Sequence, residues 1–390
     1  MDKYPLFHLP RRLLRFFKCW PDDSSWPLPK LIFVSLTLTN HTVAMFFEFK
    51  YVFEHFENPL EAFDALNPTL EKFVTFFKLC VVLYFRKEFK HNNEMITSYF
   101  DKEYRGEHYK IVYEATRSAY RYCLYTFLGG SSVNFCFFLR PIANNIVRMV
   151  LGGNSTRELP FKASLPLNLD QNPTYPIVYG LFSYSGLLTC FAFPAVDGII
   201  MAYCKYLAAQ FDIISNQLRT HFNAAIVDSV DPFTAKEMET FSMKLRPVVR
   251  LHIELINRIV ELSKIMWPII LAHFITSALL IGLSLLDFIK QEGFATILYL
   301  IYAVVVLLQL LVYCIAGNCV ANATQGIHES VYFTHWYRFN PKIRRDLLMM
   351  MIISTKGSNL RIPFFTPSLP AYRAILSASL SYLTILQSFF

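Results

Sequence analysis

FATILYLIYAVVVLLQLLVYCIAGNCV, residues 294–320, runs its whole length without a charged side chain. A bilayer core needs about 20 mostly apolar residues per helix, so this stretch reads as a transmembrane span. Six others read the same way: residues 31–53, 66–85, 121–141, 176–204, 264–287 and 371–390. The third and fourth are interrupted by Gly129, Gly130 and Pro194, which membrane helices tolerate when neighbours re-satisfy the backbone. Prolines, Pro59, Pro141, Pro176 and Pro363 among them, mark the span edges.

Composition points the same way. The 390 residues are 54% hydrophobic and 17% charged, and the mean hydropathy is +0.33; a soluble domain carries nearer a quarter charged residues. G-x-G-x-x-G, G-x-x-x-x-G-K, H-E-x-x-H, G-x-S-x-G and C-x-x-C are all missing, so nucleotide, zinc and nucleophilic chemistry lack support. Neither an enzyme nor a cofactor is expected. The opening MDKYPLFHLPRRLLRFFKCW has no apolar core and is not expected to be a signal peptide. Seven of the eight cysteines lie in or beside spans, which argues against a disulfide framework. The net charge of +8 gives no other reason to expect nucleic acid as a partner.

Orientation follows from Lys and Arg between spans. Of the 37, 28 fall in the N-terminal tail and the second, fourth and sixth loops, against five on the other side. That split places the N-terminus in the cytoplasm and the C-terminus outside. Asn154, in LGGNSTREL, is the one N-x-S/T sequon in a loop, and that loop is expected outside as a glycosylation site. A receptor signalling through G proteins would need the opposite orientation. A transporter would need paired discontinuous helices, which are not seen.

Polar residues inside the spans need placing. Glu48, Lys50, Glu71 and Lys72 lie near span ends and are expected to snorkel. Lys78 and Asp197 sit deeper and could pair or line a water-filled cleft. His41 and His273 read as satisfied helix residues. Ahead of the fifth span, Met238, Leu245, Val249, Ile253, Ile256 and Val260 recur at helical spacing on a cytoplasmic helix, which needs a protein partner or an anionic lipid surface. In the last span, Ser377, Ser381, Thr384 and Ser388 stack into one stripe. It faces protein or water, not lipid.

The last third resembles the insect odorant receptor family. The matching features are Tyr313 with Gly317-Asn318, Tyr332, Trp336-Tyr337, Arg344-Arg345-Asp346-Leu347-Leu348, a Pro363-to-Leu369 turn, and Ser381-Tyr382-x-Thr384-x-Leu386. Leu383 replaces the usual Phe of the terminal run. The related gustatory channels place Gln-Phe differently after their Tyr, so the odorant branch fits better. The family's obligate co-receptor, Orco, carries a large insertion between helices four and five; here about 60 residues lie between the two spans. The resemblance therefore implies an odorant-tuning subunit.

What the resemblance implies is an all-α membrane protein of seven transmembrane helices, with helices four to seven running on into a cytoplasmic anchor domain. Residues 1–30 would form a cytoplasmic segment, 31–320 six helices with the ligand pocket, 321–370 an anchor segment and 371–390 the pore helix. The function implied is a ligand-gated, nonselective cation channel, a heterotetramer with Orco in the plasma membrane of olfactory neuron dendrites. Its ligand would be a small, mostly apolar odorant, and membrane lipid a further partner. Ser377, Ser381, Thr384 and Ser388 would line water, Ile385 and Leu386 a constriction, and Gln387 the outer mouth. The pocket would lie in the outer halves of helices two to six. Its candidates are Phe73, Phe76 and Phe77; Thr126, Gly129, Gly130 and Val133; Phe182, Tyr184, Ser185 and Leu188; and Tyr299 with Tyr302, whose buried phenols want hydrogen-bond partners.

Overall fold

Each of the seven expected spans falls on one helix of the structure, a computed structural model that describes residues 6–21, 26–103, 108–152, 154, 156–169, 172–223 and 234–388; the last two residues of the seventh span, 389–390, lie outside the described residues. In chain order the helices are α1 (His8–Phe16), α2 (Leu28–Glu54), α3 (Pro59–Tyr84), α4 (Arg86–Glu103) and α5 (Tyr109–Val150). Then come α6 (Thr174–Asn223), α7 (Ala235–Lys290), α8 (Phe294–Tyr332), α9 (Pro341–Ser354) and α10 (Leu369–Ser388). The fold is all-helical among the described residues.

On length and composition alone, α2, α5, α6, α7 and α8 are apolar enough to cross a membrane. The two remaining spans fall short for different reasons. α3 carries Glu71, Lys72 and Lys78 in its centre, and α10 carries Arg373, Gln387 and the hydroxyl stripe. Pro141 does not end the third span as expected: α5 continues through it to Val150.

α6, α7 and α8 have 50, 56 and 39 residues. At 1.5 Å per residue α7 is about 84 Å long, far more than the ~30 Å of hydrocarbon it would cross. The surplus lengths pack on one another and on α9. Arg219 donates to Ser330 at 3.2 Å, His252 meets Ser354 at 3.1 Å, and the Phe241 and Phe339 rings stand 5.1 Å apart. Burial holds the His252 imidazole down to about 4, so it sits here neutral. A capping box, Thr234 with Glu237, starts α7. The face that α7 buries is Phe241, Leu245, Val248, His252, Leu255 and Ile259. The stripe expected from the sequence lies beside it: Leu245 is buried, but Ile253 is half exposed.

The basic N-terminal segment folds back onto the bundle. Leu13, Leu14 and Phe17 are buried, and α1 packs on α6, where Pro10 fits over Gly198.

Two glycines set how α10 joins the rest. A methyl group on Gly317 of α8 would overlap the carbonyl oxygen of Pro367, two residues ahead of α10. One on Gly282 of α7 would meet the Tyr382 ring at 2.7 Å. Gly317→Ala is expected to push the turn off α8, costing about 1–3 kcal/mol as overpacking does. Gly326→Ala, with its nearest neighbour 3.9 Å away, should be harmless. Thermal unfolding of the two variants checks this, and equal unfolding temperatures would refute the close approach.

Candidate functional site

α3 turns a row of polar side chains inward, and most of them meet a partner on another element. Asp64 accepts from both guanidinium nitrogens of Arg140 on α5, at 2.6 and 2.7 Å, and from Lys162 at 2.9 Å. The Tyr299 hydroxyl on α8 donates to it as well. Asn67 donates to Asp287 on α7 at 2.6 Å. Lys72 pairs with Glu48 on α2, whose other oxygen accepts from Thr69 at 3.1 Å. Lys78 donates to Asp197 on α6 at 2.7 Å, and Tyr313 on α8 donates to the same oxygen at 2.5 Å.

These pairs correct one expectation and settle an open one. Glu48, Glu71 and Lys72 do not snorkel; all three are buried. Each has a partner inside the bundle: Glu71 lies against the Tyr302 hydroxyl and the Gln309 amide. Lys50 is only half-buried, 3.5 Å from Glu54. Lys78 and Asp197 pair with each other, their side chains at most 2% exposed. Aromatic faces complete the desolvated ammonium groups, with Lys72 over Phe161 and Lys78 over Phe193, each at 3.4 Å. His41 is satisfied at both ring nitrogens, by the Lys72 carbonyl and the Ser185 hydroxyl. His273 stacks on Tyr313, with centroids 4.3 Å apart.

The ligand candidates divide into two groups. Between α5 and α8, Gly129 lies against Val305, and Phe137 makes edge contacts with Tyr299 and Tyr302. Val133 is buried between them, on the same face of α5. The phenols are anchored on α3: Tyr299 on Asp64, and Tyr302 on the Asn67 carbonyl at 3.0 Å. Phe161, from the loop after α5, closes this group against Phe137 at 5.3 Å. The second group faces α2. Phe76 stacks on His41, Ser185 bonds the same ring, and Tyr184 meets Thr37 at 2.9 Å. Phe182 and Leu188 are buried on α6, and Thr126 donates to its own helix. Gly130 is buried with nothing within 4 Å of an added Cβ. Phe77 is half-buried, and Phe73 is 46% exposed, turned away from both groups.

Asp64, Phe137 and Phe161 belong to the first group and were not singled out in the sequence. Phe137 follows Val133 by one turn and was legible as the next residue on that face. Phe161 arrives from a loop, and nothing in its local pattern signals it.

α10 packs against α7 and α8 through its other side, with Ser379 and Leu383 buried. Ser377, Ser381, Thr384, Ile385, Gln387 and Ser388 all face away from the bundle; the Leu386 side chain lies outside the described residues. The hydroxyls donate back along their own helix: Ser381 to the Ser377 carbonyl at 2.9 Å, Thr384 to Ser381 and Ser388 to Ile385, each at 2.7 Å. With the donor used, each oxygen presents lone pairs outward, which suits water or a cation. Asn154 is exposed.

Comparison with known proteins identifies the family and the fold. A family model described as 7tm odorant receptor matches residues 58–380. Odorant receptor 22c of Drosophila melanogaster is 29% identical over 88% of this chain and 85% of its own length. Odorant receptor 10a of the same insect is 28% identical over 100% of this chain and 97% of its own. Among solved structures, the olfactory receptor OR5 of Machilis hrabei in complex with eugenol superposes at a TM-score of 0.70, with 12% identity, covering 99% of this chain and 100% of that one.

Proposed function

The chain belongs to the odorant receptor family, and we propose that it is an odorant-tuning subunit of a ligand-gated, nonselective cation channel. The observation that carries this reading is the hydroxyl face of α10, which a lone subunit leaves uncovered. Four such helices around an axis would give a wet, uncharged lining in which hydroxyls hydrate a cation but discriminate poorly between ions. The co-receptor Orco would supply the other subunits, in the plasma membrane of olfactory neurons. The paired extensions of α6, α7 and α8 with α9 would form the cytoplasmic anchor, and residues 371–390 the pore helix.

The odorant would lodge between α5 and α8, against Gly129, Val133, Tyr299 and Tyr302 on the outer side. That group combines aromatic walls with a few oriented polar atoms, which suits a small apolar ligand. α8 offers the route onward. It is one unbroken helix from the tyrosines to Gly317, where it meets the turn into α10. An odorant that binds the open arrangement more tightly would draw the equilibrium towards it.

Two expected outcomes test this reading. Tyr302→Phe loses one hydrogen bond, and the half-maximal odorant concentration should shift by about fivefold. Current evoked by an agonist of the co-receptor should persist. Loss of both currents would give Tyr302 a folding role instead. A glycan on Asn154, removed by a glycosidase and lost in Asn154→Gln, should be present on expressed protein; a glycan on a sequon engineered into the N-terminal tail would overturn the orientation.

A further inference from the structure

Where α5, α6 and α8 meet, far along α8 from Tyr299, a cleft of about 580 Å³ opens between them. Small buried residues, Ala208 and Ala209, form its floor. Around them stand Arg117 and Arg121, one turn apart on α5, and Lys205 on α6. Two carboxylates, Glu114 and Asp212, also line the cleft. Among the described residues, no carboxylate lies within ion-pair reach of Arg117, Arg121 or Lys205. The half-buried Lys205 ammonium lies 3.5 Å from the Cys319 thiol and 5.7 Å from the Tyr122 ring, and the Asp212 carboxylate acts on it only from beyond ion-pair distance. The three cationic side chains outnumber the two carboxylates of the cleft, so its lining is net positive.

Three span ends converge here. The third expected span begins at Arg121, the fourth ends at Cys204 and the sixth at Val320. The cleft therefore lies at a membrane–water boundary, and on the basic side of the chain. Arg is suited to bidentate contact with phosphate, and Lys adds a point charge. The volume exceeds that of a bare anion and leaves room for a headgroup.

We infer that this cleft binds a phosphate group, presented either by an acidic phospholipid of the inner leaflet or by a soluble phosphate. The inner-leaflet source rests on the orientation proposed above; the phosphate chemistry does not. Bound there, the group ties α5 to α6.

The test uses the full chain in detergent micelles, which have no sides. Its unfolding temperature is followed on titration with a short-chain phosphatidylinositol phosphate and, separately, with inorganic phosphate. Saturable stabilisation is expected, weakened by about tenfold in Arg117→Gln/Arg121→Gln and in Lys205→Met. Lys342→Gln/Arg345→Gln, which removes two exposed charges on α9, should respond like the unaltered chain. Stabilisation by the lipid alone assigns the source to a headgroup, and equal stabilisation by inorganic phosphate assigns it to a free anion. No saturable response to either, or an equal loss in the α9 variant, would overturn the inference. Binding together with a glycan on the sequon engineered into the N-terminal tail would leave the site standing and the orientation refuted.

Discussion

Lys78→Met is expected to remove most of the folded protein. The substitution leaves the Asp197 carboxylate buried between α6 and α8 with only the Tyr313 hydroxyl to face it. Breaking a buried pair from one side costs about 3–5 kcal/mol, a large part of what holds a domain folded. The pair itself contributes little net stability, because burying both charges is expensive. Lys78→Met/Asp197→Leu removes both, and should restore most of what the single substitution loses. Size-exclusion profiles of the tagged protein, with thermal unfolding, would register both effects. A stable single variant, or a double variant worse than the single, would mean that the two charges are not coupled inside the bundle.

The spans were legible because a bilayer demands length and apolarity, and residues 294–320 supply both without a charge. The hydroxyl face of α10 was legible for a similar reason: four residues at helical spacing fall on one side whatever lies opposite. The partners of α3 were not. Lys78 and Asp197 are 119 positions apart, and Asn67 and Asp287 are 220 apart. A charge near the end of a span looks alike whether it reaches for water or for another helix. Only the packing decides, and here it buries Glu48, Glu71 and Lys72.

The candidate ligand group was half legible. Tyr299 and Tyr302 follow from spacing and from the needs of a buried phenol, and both hydroxyls are bonded to α3. Phe73, Phe76 and Phe77 share a helical stripe in the sequence, yet α3 rotates so that its charges face inward and Phe73 outward. On α7 the buried face lies beside the one read from Met238 to Val260, because α8 and α9 cover that side.

The second large effect concerns the ion path. Cysteine at Ser381 or Thr384 replaces a small exposed hydroxyl with a small thiol, so folding should be little changed. A charged, water-soluble thiol reagent would then add bulk and charge to a narrow lining. If four subunits bring these faces to a common axis, modification should remove most of the odorant-evoked current. Ser379→Cys, turned inward against the Ala278 carbonyl, should be unaffected.

The deciding measurement is odorant-evoked current through Thr384→Cys channels, co-expressed with Orco, before and after a cationic thiol reagent. A pore-lining α10 predicts rapid block, faster when odorant is present and reversed by reductant. Full current after the same exposure, with labelling of the thiol established on the same protein, would place this face of α10 away from the ion path and contradict the central claim.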